Sequence, residues 1–161
     1  MFIKQKLEHY LKTNLKETTL VGKSANYEVY EECTYARKSS IKEYINDNKN
    51  EETFQTKLFT YIDNKNLKDS DVYNKVYIDR RLFSKIRSDK NYHPSKETII
   101  LLGLSLELTE KEIEDLLLSA SYSLPKNTIY DLIIRFCFKE KIYNVNKVNE
   151  FLYDHNCKTL T

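Results

Sequence analysis

Between Thr53 and Leu118 the chain repeats one pattern five times: apolar residues at helical spacing, then a short polar break. Phe54, Leu58, Phe59 and Ile62 form the first stripe, which ends near Asp63–Asn66. Asp69 stands where a cap would open a second helix carrying Val72, Tyr73 and Val76. Asp79 does the same for a third, with Leu82, Phe83 and Ile86 inward. Ser95, directly after Pro94, opens an apolar helix that ends near Leu106. Thr109 with Glu112 reads as a capping box ahead of a fifth helix, through Leu116 to Leu118. Helical periodicity with matching start signals excludes a sheet reading for this region. The whole chain has two Gly and two Pro, and a sheet-rich protein would need more of both in its tight turns. The expected fold class is all-α.

The flanks carry weaker signals. Ile3, Leu7, Tyr10 or Leu11, and Leu15 sit at helical spacing, which predicts an amphipathic opening helix over residues 2 to 16. Residues 18–38 read either as a short strand, by Tyr27/Val29 alternation, or as a helix, by Tyr27/Tyr30. Ser40 with Glu43 reads as a capping box before Ile41, Tyr44 and Ile45, and residues 46–52 as a linker. After the break at Pro125, Asn127 or Thr128 opens a helix with Ile129, Leu132, Ile133 and Phe136, and a last helix covers about Val145 to Tyr153. The domain reading is an N-terminal helical attachment over residues 1–50 and a main helical domain over 51–161.

At 161 residues the chain is long enough to bury a real core. Its net charge of +2 names no partner, so only the local distribution of charge can. Thirteen Tyr with no Trp, beside many Lys, Asn and Ile, follow from AT-rich codons more simply than from a stacking surface. Cys33, Cys137 and Cys157 are odd in number and widely spaced, so no disulfide framework is expected. No apolar run approaches the roughly 18 residues of a membrane span. "MFIKQKLEHYLK" is too charged for a signal peptide, and a reducing cytoplasm is the expected location.

Charge is concentrated in one place. Between Asp79 and Lys96 there are six Lys or Arg against two Asp, and an apolar helix follows directly. From Glu107 to Asp115 there are five carboxylates against Lys111. The main domain is therefore bipolar, a charge layout that can orient a nucleic acid, a complementary protein or a second copy docking head to tail.

Five short helices over residues 53 to about 120, with this spacing of Val72, Val76, Ile78, Phe83 and Ile86, resemble a lambda-repressor-like helix-turn-helix domain. The resemblance covers roughly 65 of 161 residues. It implies that the third helix presents Arg80, Arg81, Ser84, Lys85 and Arg87 outward, with Arg80, Arg81 and Lys85 at the base-reading positions. Backbone contacts then fall near Ser88 and Lys90 and at the start of the next helix, Ser95 and Lys96, with His93 in the intervening loop. The chemistry suits the task, since Arg bonds guanine O6 and N7 bidentately and Lys engages phosphates. Two positions depart from the family: Tyr73 stands where a small residue is preferred, and Tyr77 where Gly is preferred in the turn. A non-Gly residue at positive φ there carries a conformational cost. "VYNKVYIDRRLFSKIRSDKNYHPSK" is also similar to a small helical module of low-GC Gram-positive bacteria, found beside other domains such as macro domains. That second resemblance implies an accessory or adaptor role.

The sequence-level expectation is a small DNA-binding regulator with double-stranded DNA as partner, with a homodimer left open. The alternative is a non-enzymatic protein-interaction module or adaptor, including a phage- or mobile-element-encoded inhibitor of a host defence enzyme. No enzyme is expected and no cofactor. Two glycines do not make a P-loop or a dinucleotide fingerprint. His155 and Cys157 lack a second ligand pair at zinc spacing and read as an exposed tail. Cys137, within Ile133–Phe138, reads as a small buried hydrophobe. Glu110, Glu112, Glu114 and Asp115 crowd a helix N-terminus, where they complement the macrodipole.

Overall fold

Each apolar stripe from Thr53 onward becomes a short helix in the computed structural model, which describes residues 2–18, 41–48 and 52–161. Among the described residues all regular structure is helical. Helices α1 (Phe2–Thr18) and α2 (Ile41–Asn48) come first. The five helices α3 (Phe54–Asn64), α4 (Asp69–Lys75), α5 (Arg80–Ser88), α6 (Lys96–Ser105) and α7 (Glu110–Ser119) follow at short intervals. The last two are α8 (Ile129–Lys139) and α9 (Val145–Asp154). Residues 19–38 of the ambiguous stretch, Cys33 and the Ser40 cap lie outside the described residues.

The helix starts obey local chemistry. Thr53, Asp79, Ser95, Thr109, Thr128 and Asn144 each accept a backbone N–H two or three residues on. Such a cap contributes about 0.5–2 kcal/mol to its helix. The Thr109/Glu112 box is complete, with the Glu112 carboxylate 2.7 Å from the Thr109 N–H. That bond holds the Glu112 carboxyl below its ordinary pKa. The expectation for Asp69 is corrected. Lys68 occupies the cap position and makes no side-chain cap bond, while Asp69 is the first helical residue and its carboxylate turns to Arg87.

Six helix ends share one device. Asn66, Tyr77, Glu107, Ser121, Lys141 and Asn156 adopt positive φ just past α3, α4, α6, α7, α8 and α9. At each, the next residue's N–H donates back to a carbonyl in the last turn, for example Leu67 to Ile62, Ile78 to Tyr73 and Leu108 to Gly103. This is the left-handed helix closure that Gly usually serves, and here no Gly is used. Tyr77, at φ 60°, thus gives the α4–α5 turn the shape a Gly would give. Helix α5 ends otherwise. The Gln55 side chain on α3 donates to the carbonyls of Ile86 and Asp89, at 3.0 and 2.5 Å.

The core lies between α6, α7 and α8. Ile99 to Ser105 are buried all round α6, and the Ser105 hydroxyl is satisfied by the Val72 carbonyl at 2.6 Å. Gly103 lets the helices close up: a Cβ there would lie 2.5 Å from Ile113 Cδ1 and 3.2 Å from Phe138 Cζ. Helix α4 packs on α5 and α6, α3 on α7, and α9 on α8. Helix α1 lies against α8 and puts Leu7 and Leu11 into the same core, so part of residues 1–50 packs with the main domain. Lys4 pairs with Glu150 and Asp154, Lys6 with Glu140, and His155 Nε2 lies 3.1 Å from Glu8. The C-terminal tail is corrected as well. His155 is partly buried with Nδ1 2.8 Å from the Phe151 carbonyl, and Leu160 is buried. Among the described residues no helix is long and apolar enough to cross a membrane.

Candidate functional site

The phase of α5 follows from Phe83 and Ile86, which point into the core at 2 % and 1 % exposure. Phe83 meets Tyr73 and Phe59 at ring distances of 5.5 and 6.3 Å. With that face buried, Arg80, Arg81, Ser84, Lys85, Arg87 and Ser88 are all exposed on the other. Helical spacing sorts them into two rows, Arg80–Ser84–Arg87 on the side of α4 and Arg81–Lys85 away from it. Asp79 caps the helix through the Arg81 backbone N–H, at 2.7 Å, and among the described residues the Arg81 guanidinium has no ion-pair partner.

The ten residues singled out by sequence do not form one surface. Arg80, Arg81, Lys85 and Lys90 are exposed and have no carboxylate partner among the described residues. Lys85 lies over the Tyr92 ring, 4.6 Å from its centre. Arg87 is committed within the chain, with Nη2 2.5 Å from Asp69 Oδ1 and the guanidinium 4.1 Å over the Phe59 ring. Lys96 is committed more deeply. Its ammonium lies 2.6 Å from Asp131, which is 4 % exposed and also accepts from the Thr128 hydroxyl at 2.7 Å. Lys96 therefore holds α6 to α8 instead of projecting to solvent as a phosphate contact would. Ser95 caps α6, and Ser88 donates to the Ser84 carbonyl at 2.9 Å. His93 reaches across to α7, with Nε2 donating to the Ala120 carbonyl at 2.8 Å and Tyr122 3.5 Å from Nδ1.

The acidic pole is likewise used internally. Arg135 pairs with Glu110 at 2.9 Å and with Glu114, and Lys75 pairs with Glu107 at 2.6 Å. The Lys75 hydrogen bond holds the Glu107 carboxyl below its ordinary pKa. Cys137 is buried, and burial pushes its thiol up to about 12, which removes it as a nucleophile near neutrality. Among the described residues no group of His, Cys, Asp and Glu is placed to hold a metal ion.

Sequence reasoning missed Lys68, Ser70 and the opening they share with Tyr73. These line a cleft of about 410 Å³ between α4 and α5, closed on the other side by Arg80, Ser84 and Arg87. The signal that could have pointed there is Tyr73, an aromatic on the stripe of α4 that is only half-buried and packs on Phe83. Compared with protein-family models, with curated proteins and with solved structures, the chain finds no match in any of the three.

Proposed function

We propose that the outward face of α5 binds double-stranded DNA. The observation that carries this reading is the exposed set Arg80, Arg81, Ser84 and Lys85. It sits on the second helix of a helix–turn–helix pair, and its cations lack internal carboxylate partners among the described residues. Nine residues of helix span about 13–14 Å, a size that a major groove of roughly 12 Å width receives end-on or obliquely. Arg80 and Arg81 open the helix, where residues of a recognition helix meet base edges. Lys85 lies one turn further along, and Lys90 in the loop is free to hold a phosphate.

Because Lys96 is tied to the buried Asp131 carboxylate, the phosphate contacts reduce to about four, which sets a salt slope of roughly −3 to −4 in log–log form. Mobility-shift titrations at two salt concentrations measure that slope. Arg81→Ala should weaken duplex binding by about 1–3 kcal/mol and relax preference at one base pair. Absence of duplex binding even at low salt would end this reading.

A second reading has its own support. Tyr77 is 68 % exposed at the turn beside the basic face, and an exposed aromatic next to Arg is the composition of a protein-binding hot spot. As a protein-interaction module or adaptor, the α5 corner takes an acidic protein surface, as an inhibitor of a host defence enzyme would. It then forms a stoichiometric complex that persists at about 0.15 M salt, where exposed charges alone are screened beyond roughly 8 Å. Tyr77→Ala should weaken that complex and leave duplex binding unchanged.

A further inference from the structure

We infer that the cleft between α4 and α5, which meets the proposed duplex face at Arg80 and Ser84, is a binding site for a small phosphate ester carried on a flat ring. The inference does not depend on whether α5 binds a duplex. Three cations, Lys68, Arg80 and Arg87, face the opening against one carboxylate, Asp69. Lys68 and Arg80 have no ion-pair partner among the described residues, so their charge is available. Arg87 is held in place from two sides, by Asp69 at 2.5 Å and by the Phe59 ring at 4.1 Å. Of its five N–H donors the Asp69 contact occupies one, and the rest of a fixed planar fork remains for an oxyanion. The Arg87 and Asp69 side chains are 48 % and 36 % exposed, and an exposed pair of this kind is weak enough for a dianion to compete with Asp69.

Hydroxyls complete the polar wall. Among the described residues, the Ser84 side chain makes no internal bond and Ser70 is engaged only by Asp71 at 3.5 Å, at the limit of a hydrogen bond. A phosphomonoester presents three acceptor oxygens and close to two negative charges at neutral pH, which matches two Arg, a Lys and two hydroxyl donors.

The open cleft has room for more than a bare ion. About 410 Å³ lies in the range of pockets that hold small organic ligands and is far more than a lone phosphate fills. The remaining space is walled by the half-buried Tyr73 ring, which packs 5.5 Å from Phe83. A flat ring attached to the phosphate covers that wall, as aromatic pairs prefer offset or tilted contact.

The test is a titration of the full-length, nitrogen-15-labelled protein with phenyl phosphate and, separately, with inorganic phosphate. Phenyl phosphate should shift the Ser70, Tyr73 and Ser84 amides to saturation, with Kd of about 1 mM or tighter and about fivefold tighter than inorganic phosphate. Lys68→Ala should weaken it about fivefold, while Arg81→Ala, on the row facing away, leaves it unchanged. Lys68 makes no side-chain cap bond, so its removal leaves the fold intact. Shifts that fail to saturate by about 10 mM, equal affinity for the two anions, or an unaffected Lys68→Ala variant would each overturn the site. In a paired duplex titration, loss of DNA binding with phenyl phosphate binding retained sinks the proposed function alone.

Discussion

Helices α5 and α6 are neighbours in the chain and opposites in composition. On α5 only Phe83 and Ile86 are buried, Leu82 is partly buried, and the rest of its surface is basic or hydroxylated. On α6 every residue from Ile99 to Ser105 is buried, with Gly103 admitting the neighbouring side chains. The contrast shows that stability and surface chemistry are assigned to different helices here. From Ile99 to Ser105 helix α6 can accept no polar change without core damage, whereas α5 can vary outside its inward stripe. A corner built this way is free to acquire a binding role at small cost to the fold.

The comparison breaks first at Phe83. Phe83→Ala should cost about 3–5 kcal/mol in urea unfolding, as much as Leu102→Ala on α6, because the inward faces of both helices are core. An unchanged melting temperature for Phe83→Ala would mean that the basic face is misassigned. Next comes Lys96, at the join of the two regions. Lys96→Ala leaves the Asp131 carboxylate buried beside Thr128 alone and should cost about 2–3 kcal/mol, somewhat less than a fully buried pair. Duplex affinity, measured on the folded variant, should stay unchanged; a uniform drop across DNA sequences would instead make Lys96 a phosphate contact.

Smaller effects sharpen the same contrast. Gln55→Ala removes both donors to the end of α5 and should cost about 1–2 kcal/mol, with amide shifts concentrated in residues 84–91. Shifts spread evenly over the protein would argue against a local clamp. Tyr77→Gly should stabilise the protein by about 0.5–1 kcal/mol, since relief of left-handed strain exceeds the entropy Gly adds to the unfolded chain. Equal or lower stability would show that the Tyr77 ring contributes to the fold.

The last test is acid. The Glu112 carboxyl is held below its ordinary value, so its contribution is fully present above the ordinary range near pH 4.3. It is lost as pH falls through the folded-state value. Glu112→Gln should flatten that part of the acid unfolding curve and leave the neutral region with a constant offset.

What could be read from sequence, and what could not, divides by distance along the chain. Asp79, Ser95, Thr109 and Thr128 were legible as caps because a cap acts over two or three residues. The outward set Arg80, Arg81, Ser84 and Lys85 was legible because Phe83 and Ile86 define the phase of a helix. The internal commitments were not. Arg87 and Asp69 are 18 residues apart, Lys96 and Asp131 are 35 apart, and Gln55 reaches 31 and 34 residues to α5. No local pattern encodes which of several cations will meet a distant carboxylate. For the same reason the tail around His155 read as exposed, although Glu8 on α1 meets the His155 ring from 147 residues away.

The six left-handed closures have a consequence for the order of folding events. Each is completed within a few residues, so the boundaries of α3, α4, α6, α7, α8 and α9 need no partner from elsewhere to form. The end of α5 draws on one, because the Ile86 carbonyl accepts from Gln55 on α3, which also shares the Asp89 carbonyl with the Tyr92 N–H. Local contacts form before those that must first close a long loop. In pulse-labelled hydrogen exchange during refolding, the amides of Leu67, Ile78, Leu108, Tyr122, Ile142 and Cys157 should gain protection early. Helix α5 should gain it last in wild type, and later still in Gln55→Ala. Simultaneous protection of all seven helix ends would show that docking, rather than local closure, sets the sequence of events.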